Sequence, residues 1–248
     1  MNTNETVEQH LKYNNVHSLI LIPTPIAENK VDNITLDVRN AIENTLFFVV
    51  ENLRTARRFI KAVNKSIDID TLEFFELSKG FDTKELHAFL GSNFHRGNIG
   101  LMSEAGCPAI ADPGSLVVQW CHRHKINVNP LVGPSSIILS LMASGFNGQN
   151  FAFHGYLPNK KPELITKIKW MQTQIQRTAE TQIFIETPYR NRFMIETILS
   201  FLQGNEQLCV CIDLDAPSMQ IINLPKSGWN AIDLDQFHKR PAVFLLGK

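Results

Sequence analysis

Apolar and polar positions divide the chain into short apolar runs separated by stretches of helical periodicity. Leu19–Ile22, Leu46–Val50, Ile99–Met102, Val128–Val132 and Phe151–Phe153 have the length and near-continuous hydrophobicity of buried strands. Between them, Leu53–Val63, Lys84–Leu90 and Leu116–His124 repeat apolar residues at helical spacing and read as amphipathic helices. This alternation predicts a mostly parallel sheet covered by helices. Ile137–Ala143 is apolar almost all round, which predicts a helix sandwiched between other elements. Punctuation at Gly145–Asn150 and again at Leu157–Pro162 marks candidate boundaries, and the first gives domains of residues 1–147 and 148–248. The second half predicts a long helix from about Pro162 to Arg177 and another around Phe193–Leu202. Its strands are expected at Ile183–Ile185, Leu208–Ile212, Met219–Ile222 and Ala242–Leu246. The last three lie too close together for helical crossovers, so antiparallel pairs and a mixed sheet are expected. The fold class is α/β, with two α/β domains.

At 248 residues the chain can bury a sizeable core. Its 24 acidic and 24 basic residues cancel, so no global field favours nucleic acid, although Arg54, Arg57, Arg58 and Lys61 form a local basic patch. Four cysteines, Cys107, Cys121, Cys209 and Cys211, have neither zinc-ligand nor disulfide-framework spacing and read as reduced thiols. Cys107 and Cys121 are taken as packing residues. No apolar run approaches the roughly 20 residues of a membrane-spanning helix. Met1–Asn15 is polar and lacks the apolar core of a signal peptide, so a cytoplasmic location away from membranes is expected.

The most informative segment runs from Ser103 to Gly114. The apolar run ending at Met102 feeds a turn rich in glycine and proline, after which Val117, Val118 and Cys121 resume helical spacing. Leu131-Val132-Gly133-Pro134-Ser135-Ser136 repeats the arrangement. Small-residue turns after buried strands bring main-chain groups to the carboxyl edge of a sheet, where ligands bind. Other chemistries lack their signatures: there is no G-x-S-x-G elbow, no phosphate-binding G-x-x-x-x-G-K-[ST] loop and no G-x-G-x-x-G turn. His122 and His124 are two residues apart and point to different faces of their helix, so metal binding is not indicated. What remains is a cofactor pocket built largely of main chain.

Seven blocks in order resemble the tetrapyrrole methylase superfamily of S-adenosylmethionine-dependent methyltransferases. The similarity is closest to the bacterial enzymes that 2′-O-methylate a ribose of 16S ribosomal RNA. Ile22-Pro23-Thr24-Pro25-Ile26 resembles the opening turn of that family, and Asp32-Asn33-Ile34-Thr35 the segment that starts its first helix. Glu51-Asn52-Leu53-Arg54 resembles its Glu-Asp-Thr-Arg box, and Ser103–Gly114 its Ser-Asp-Ala-Gly-Thr-Pro and Ser-Asp-Pro-Gly turns. Leu131–Gly145 is similar to Pro-Gly-Pro-Ser/Cys-Ala with its small-residue helix, and Phe153–Pro158 to Glu-Gly-Phe-Leu-Pro. Ile185–Arg190 is similar to Tyr-Glu-Ser-Pro-His-Arg.

The resemblance implies S-adenosylmethionine in a cleft between two domains, RNA as substrate and a homodimer. It places Pro25, Met102, Ser103, Glu104, Ala105, Gly133, Pro134, Ser135, Ser136, Tyr156 and Leu157 at the cofactor. Arg54, Tyr189 and Arg190 fall on the substrate side. Glu104 and Glu51 are candidate bases for a ribose hydroxyl, which is a poor nucleophile until its proton leaves. Each of these residues also has a structural reading: Glu51 caps the following helix, and Tyr189-Arg190 simply starts another. Departures gather on the acceptor side, at Ala27–Lys30, Asn52-Leu53 and Phe75–Ser78. Cys211–Pro217 is also acidic where the family is basic, which removes phosphate-seeking charge. Two alternatives follow: a small-molecule, tetrapyrrole-like acceptor, or a cofactor-binding protein without transfer activity.

Overall fold

The computed structural model describes residues 17–27 and 30–248, so the polar N-terminal stretch and the centre of the Ala27–Lys30 turn lie outside the described residues. The described residues form two compact units. One runs through Pro25 and then from Lys30 to Pro134; the other holds Ile26, Ala27 and Ser135–Lys248.

The first unit is built on strands β1 (Ser18–Leu21), β2 (Phe47–Val50), β3 (Glu73–Glu76), β4 (Ile99–Met102) and β5 (Asn127–Pro130). They form one parallel sheet in the order β3-β2-β4-β1-β5. Its helices are α1 (Leu36–Glu43), α2 (Leu53–Val63), α3 (Thr83–Asn93) and α4 (Ser115–Arg123). Alternation along each strand sends neighbouring residues to opposite faces. Phe48 and Val50 join Val38, Ile42, Phe59 and Ile60 of α1 and α2, whereas Phe47 and Val49 join Leu86, Leu90, Val117 and Cys121 of α3 and α4. Strands β1 and β2 therefore lead to helices on one face, and β4, lying between them, leads to a helix on the other. Such a reversal of direction opens a crevice at the carboxyl ends of the strands. The Glu73–Glu76 strand was not among those expected, since only Phe74 and Phe75 are apolar and it sits at the sheet edge with charged ends. Phe74 stacks on Phe48 with ring centres 5.6 Å apart.

In the second unit, α5 (Ser136–Ser144) precedes β6 (Phe151–Tyr156), α6 (Lys161–Thr178) and β7 (Thr181–Ile185). Helix α7 (Asn191–Phe201) and strands β8 (Gln207–Ile212), β9 (Gln220–Pro225) and β10 (Ala242–Gly247) follow. The sheet runs β6-β7-β10-β8-β9, with β6 and β7 parallel and every other pair antiparallel, so the expected mixed sheet is present. Helices α6 and α7 pack on one face around Phe184, Phe244 and Trp229. On the other face Leu141 of α5 packs with Cys209, Cys211 and Leu245. That contact puts α5 with the second sheet, so the division lies at Pro134-Ser135, ahead of the Gly145–Asn150 punctuation. Gly145, at φ +73°, instead ends α5 in the left-handed conformation a helix terminus uses. The expectation of a sandwiched helix is corrected as well. Ser140, Leu141 and Ser144 are buried, but Ile138 and Met142 are 45% and 73% exposed.

Candidate functional site

The chain leaving β4 at the crevice is held from both sides by its neighbours. Thr24, in the turn after β1, pairs with Gly106 as an isolated bridge: the Thr24 N–H donates to Gly106 O at 2.9 Å and the Gly106 N–H to Thr24 O at 3.1 Å. Thr24 is buried, and its hydroxyl donates to the Ser103 carbonyl at 3.4 Å. On the side of β2, the Glu51 N–H donates to Met102 O at 3.0 Å. The Glu51 carboxylate accepts the Glu104 N–H at 2.8 Å. Glu51 therefore does not cap α2. Asn52 does so, accepting from Thr55 N at 3.1 Å, and Glu76 accepts the Leu53 N–H at 2.7 Å.

Farther along the loop, Ala109 and Ala111 take φ of +67° and +63°, a region that costs a residue with a Cβ about 1–2 kcal/mol. Asp112 accepts the Gly114 N–H at 2.6 Å and so fixes the entry to α4. Its second oxygen, Oδ2, is buried without a hydrogen-bond partner among the described residues. Burial raises the Asp112 pKa, the Gly114 N–H opposes that, and the nearby Glu51 charge adds to the rise. The β5 turn comes equally close to its neighbour. A Cβ on Gly133 would lie 2.1 Å from Cβ of Pro23, so only glycine fits there. The Cys107 thiol donates to Pro134 O at 3.3 Å, and burial raises its pKa. Burial pushes the Cys121 thiol up to about 12. Cys121 is thus a packing group in the core of the first sheet, while the half-buried Cys107 is held by a main-chain carbonyl.

Within this frame Ser103 and Gly106 are buried while Glu104 and Ala105 are exposed. Met102 is buried as the last residue of β4, and Pro25 and Pro134 are half-buried. The first unit thus brings Pro25, Glu51, Met102, Ser103, Glu104, Ala105, Gly133 and Pro134 to the carboxyl edge of one sheet. Arg54 is exposed on α2. Of the rest of the basic patch, Arg57 lies over the Phe74 ring at 5.4 Å, Lys61 donates to Lys65 O and Ile67 O, and Arg58 is exposed.

In the second unit Ser135 caps α5, accepting from Ile138 N at 3.4 Å, and Ser136 is the first residue of that helix. Tyr156 is 59% exposed, but the Leu157 side chain is buried in the α6/α7 core, which leaves only its main chain for a ligand. Tyr189 is exposed. Arg190 pairs with the buried Glu186 at 3.4 Å and donates to Asn159, so it braces this unit. The acidic Cys211–Pro217 segment also differs from its sequence reading, because Arg240 neutralises Asp213 at 2.8 Å. Among the described residues no cluster of His, Cys, Asp or Glu could hold a metal ion. Thr24 and Asp112 were not singled out from sequence. Only the Asp-Pro-Gly order at Asp112, a common turn-and-cap pattern, signals either of them.

No protein-family model matches the chain. It is 27% identical over 225 residues to ribosomal RNA small subunit methyltransferase I of Vibrio cholerae, covering 91% of this chain and 73% of that protein. The protein of the same name from Buchnera aphidicola subsp. Schizaphis graminum is 28% identical over 197 residues, 79% of this chain and 65% of that one. That of Helicobacter pylori strain 26695 is 27% identical over 191 residues, 73% and 64%. The matched segment thus spans about two-thirds of the relatives' length. Among solved structures, uroporphyrin III C-methyl transferase from Thermus thermophilus matches with a TM-score of 0.57 at 14% identity, covering 93% of this chain and 97% of that one. The cobalt precorrin-4 methyltransferase CbiF matches with a TM-score of 0.63 at 12% identity, covering 96% and 98%. The chain has the tetrapyrrole methylase fold, with sequence homology to the small-subunit methyltransferases.

Proposed function

We propose that this chain, which combines that fold with that homology, is an S-adenosylmethionine-dependent methyltransferase acting on the ribose 2′-hydroxyl of ribosomal RNA. The observation that carries the reading is the exposed Glu104-Ala105 segment, clamped between Glu51 and the Thr24–Gly106 bridge at the switch point of a parallel sheet. The residues present fit the cofactor. The exposed Glu104-Ala105 main chain is held by the Glu51 carboxylate and the Thr24–Gly106 bridge, and Gly133 lets the β5 turn close against Pro23 beside it.

When bound, S-adenosylmethionine supplies a methyl made electrophilic by its sulfonium. The chain's part is alignment and proton handling. Main chain of Met102–Ala105, Gly133 and Pro134 would hold the donor. The Glu104 carboxylate, exposed and without a hydrogen bond or ion pair among the described residues, would take the acceptor's proton in this reading. Glu51 is a positioning residue, since its carboxylate is already spent on the Glu104 N–H. Arg54 and Tyr189 remain the exposed candidates for RNA contact.

A homodimer belongs to this proposal, supported by the exposed Ile138 and Met142 side chains on α5. So does a cytoplasmic location; among the described residues no helix is long and apolar enough to cross a membrane. Calorimetric titration with S-adenosylmethionine and S-adenosylhomocysteine tests the pocket. Micromolar-range affinity (on the order of −8 kcal/mol) is expected, and absence of heat at millimolar ligand overturns the reading.

A further inference from the structure

One flank of α6 carries chemistry that the methyl-transfer site does not use. The helix holds Lys161, Lys167, Lys169 and Arg177 against a single acidic residue, Glu163, in a chain of zero net charge. Leu164, Ile168, Met171 and Ile175 are buried and fix its inward stripe. Residues three and four apart share a helix face. Glu163, Lys167, Trp170, Gln174 and Arg177 therefore follow one another along one flank, with Lys160 ahead of them, 3.6 Å from Glu163.

Trp170 is the anomaly on this flank. Trp120 and Trp229 are buried, yet the Trp170 indole is 44% exposed and takes no part in the core formed by its neighbours. Lys167 Nζ sits 4.0 Å from its ring centre, and His154 of the edge strand β6 meets it edge-on at 5.7 Å and 83°. His154 is itself held, its Nε2 lying 2.8 Å from Gln182 Oε1. The fully buried Gln182 donates in turn to the Glu180 carboxylate at 2.8 Å. The Lys167 ammonium thus covers one face of the indole and His154 meets it edge-on, while the residue stays 44% exposed, with Arg177 farther along the same flank. A rigid aromatic face among cations matches a stacked base flanked by phosphates. Glu163 pairs with Lys160 and Glu180 lies near Lys167, yet Lys160, Lys167 and Arg177 together outnumber these two carboxylates, and the remaining positive charge favours a polyanion over a neutral partner.

We propose that this flank of α6 docks single-stranded RNA, with Trp170 stacking on a base and Lys160, Lys167 and Arg177 meeting phosphates. The proposal deepens the reading of the chain as an RNA methyltransferase and rests on it for the identity of the polyanion.

The test uses the full chain and a labelled oligoadenylate of about 12 nucleotides, within the site size of such surfaces. Affinity is followed by fluorescence anisotropy across a salt series, with S-adenosylhomocysteine binding measured in parallel. Trp170→Ala is expected to weaken RNA binding about tenfold, and Trp170→Phe to retain most of it. Lys167→Gln with Arg177→Gln is expected to flatten the salt dependence by a slope of about 0.7 per lost contact. Tryptophan quenching by RNA is expected in the wild type and absent in Trp170→Phe, because the other two indoles are buried. If Trp170→Ala fails to fold, the phenylalanine and double variants carry the test. RNA affinity and salt slope unchanged in every variant, with cofactor binding intact, overturn the docking surface and leave the methyltransferase reading standing. RNA binding through Trp170 without cofactor binding supports the surface and sinks the methyltransferase reading. A dimer that falls apart on Trp170→Ala with unchanged RNA affinity overturns it in favour of a second copy of the chain.

Discussion

Replacing Glu51 separates a positioning carboxylate from a catalytic one. In the structure its Oε2 accepts the Glu104 N–H at 2.8 Å, across 53 residues of sequence. A hydrogen bond to a charged partner contributes a net ~1.5–3 kcal/mol, and Glu51 is partly exposed, so the lower end applies. Removing it in Glu51→Ala frees the Glu104-Ala105 segment to sample orientations that the cofactor does not accept. If the lost ~1.4 kcal/mol shows fully in binding, S-adenosylhomocysteine affinity falls about tenfold. If it shows in the unliganded fold instead, it lowers Tm by about 3–6 °C for a chain of this size. Glu51→Gln keeps a carbonyl oxygen for the same N–H, so its affinity is expected within about threefold of wild type. Calorimetry with S-adenosylhomocysteine, paired with scanning calorimetry of the unliganded chain, reads both quantities. Unchanged affinity together with unchanged Tm in Glu51→Ala refutes the clamp. A Glu51→Gln variant that binds normally but loses turnover by more than about a hundredfold refutes the positioning role and makes Glu51 the base.

Three further outcomes follow from the same geometry. Glu104→Gln is expected to lower kcat by about 10²–10⁴ with cofactor affinity unchanged, measured by single-turnover transfer; a loss confined to KM counts against it as the base. Gly133→Ala forces a Cβ to within 2.1 Å of Pro23, so a loss of about 1–3 kcal/mol in denaturant unfolding is expected, together with weaker cofactor binding. Asp112 has a folded pKa raised by burial, so its contribution to stability is full below the unfolded value of about 3.9 and is lost as pH rises through the folded value. Asp112→Asn keeps an acceptor for the Gly114 N–H and should flatten that part of the stability–pH curve; a curve superimposable on wild type argues that Asp112 titrates normally.

Hydrophobic pattern was enough to place β2, β4 and α2 almost to the residue, because each is long in apolar content and bounded by turn or cap residues. It missed β3, an edge strand with only two apolar positions, whose existence depends on pairing with β2. It assigned α5 to the wrong neighbours, since an all-apolar helix does not declare which sheet it covers; Leu141 against Cys209 and Leu245 decides that. At the site, the Ser103–Gly114 and Gly133-Pro134 turns were legible as small residues after strands. The clamp itself was not, because Glu51 and Glu104 meet only through the β2–β4 register. Asp213 looked like repulsive charge in sequence and is a neutralised partner of Arg240 in the fold.

Ribose methylation is read directly by incubating the chain with methyl-labelled S-adenosylmethionine and small-subunit ribosomal RNA from a strain lacking its gene, then digesting the RNA to nucleosides. Label is expected in a single 2′-O-methylated nucleoside and is abolished in Glu104→Gln. Cofactor that binds while the RNA stays unlabelled, on isolated RNA and on intact subunits alike, contradicts that reaction.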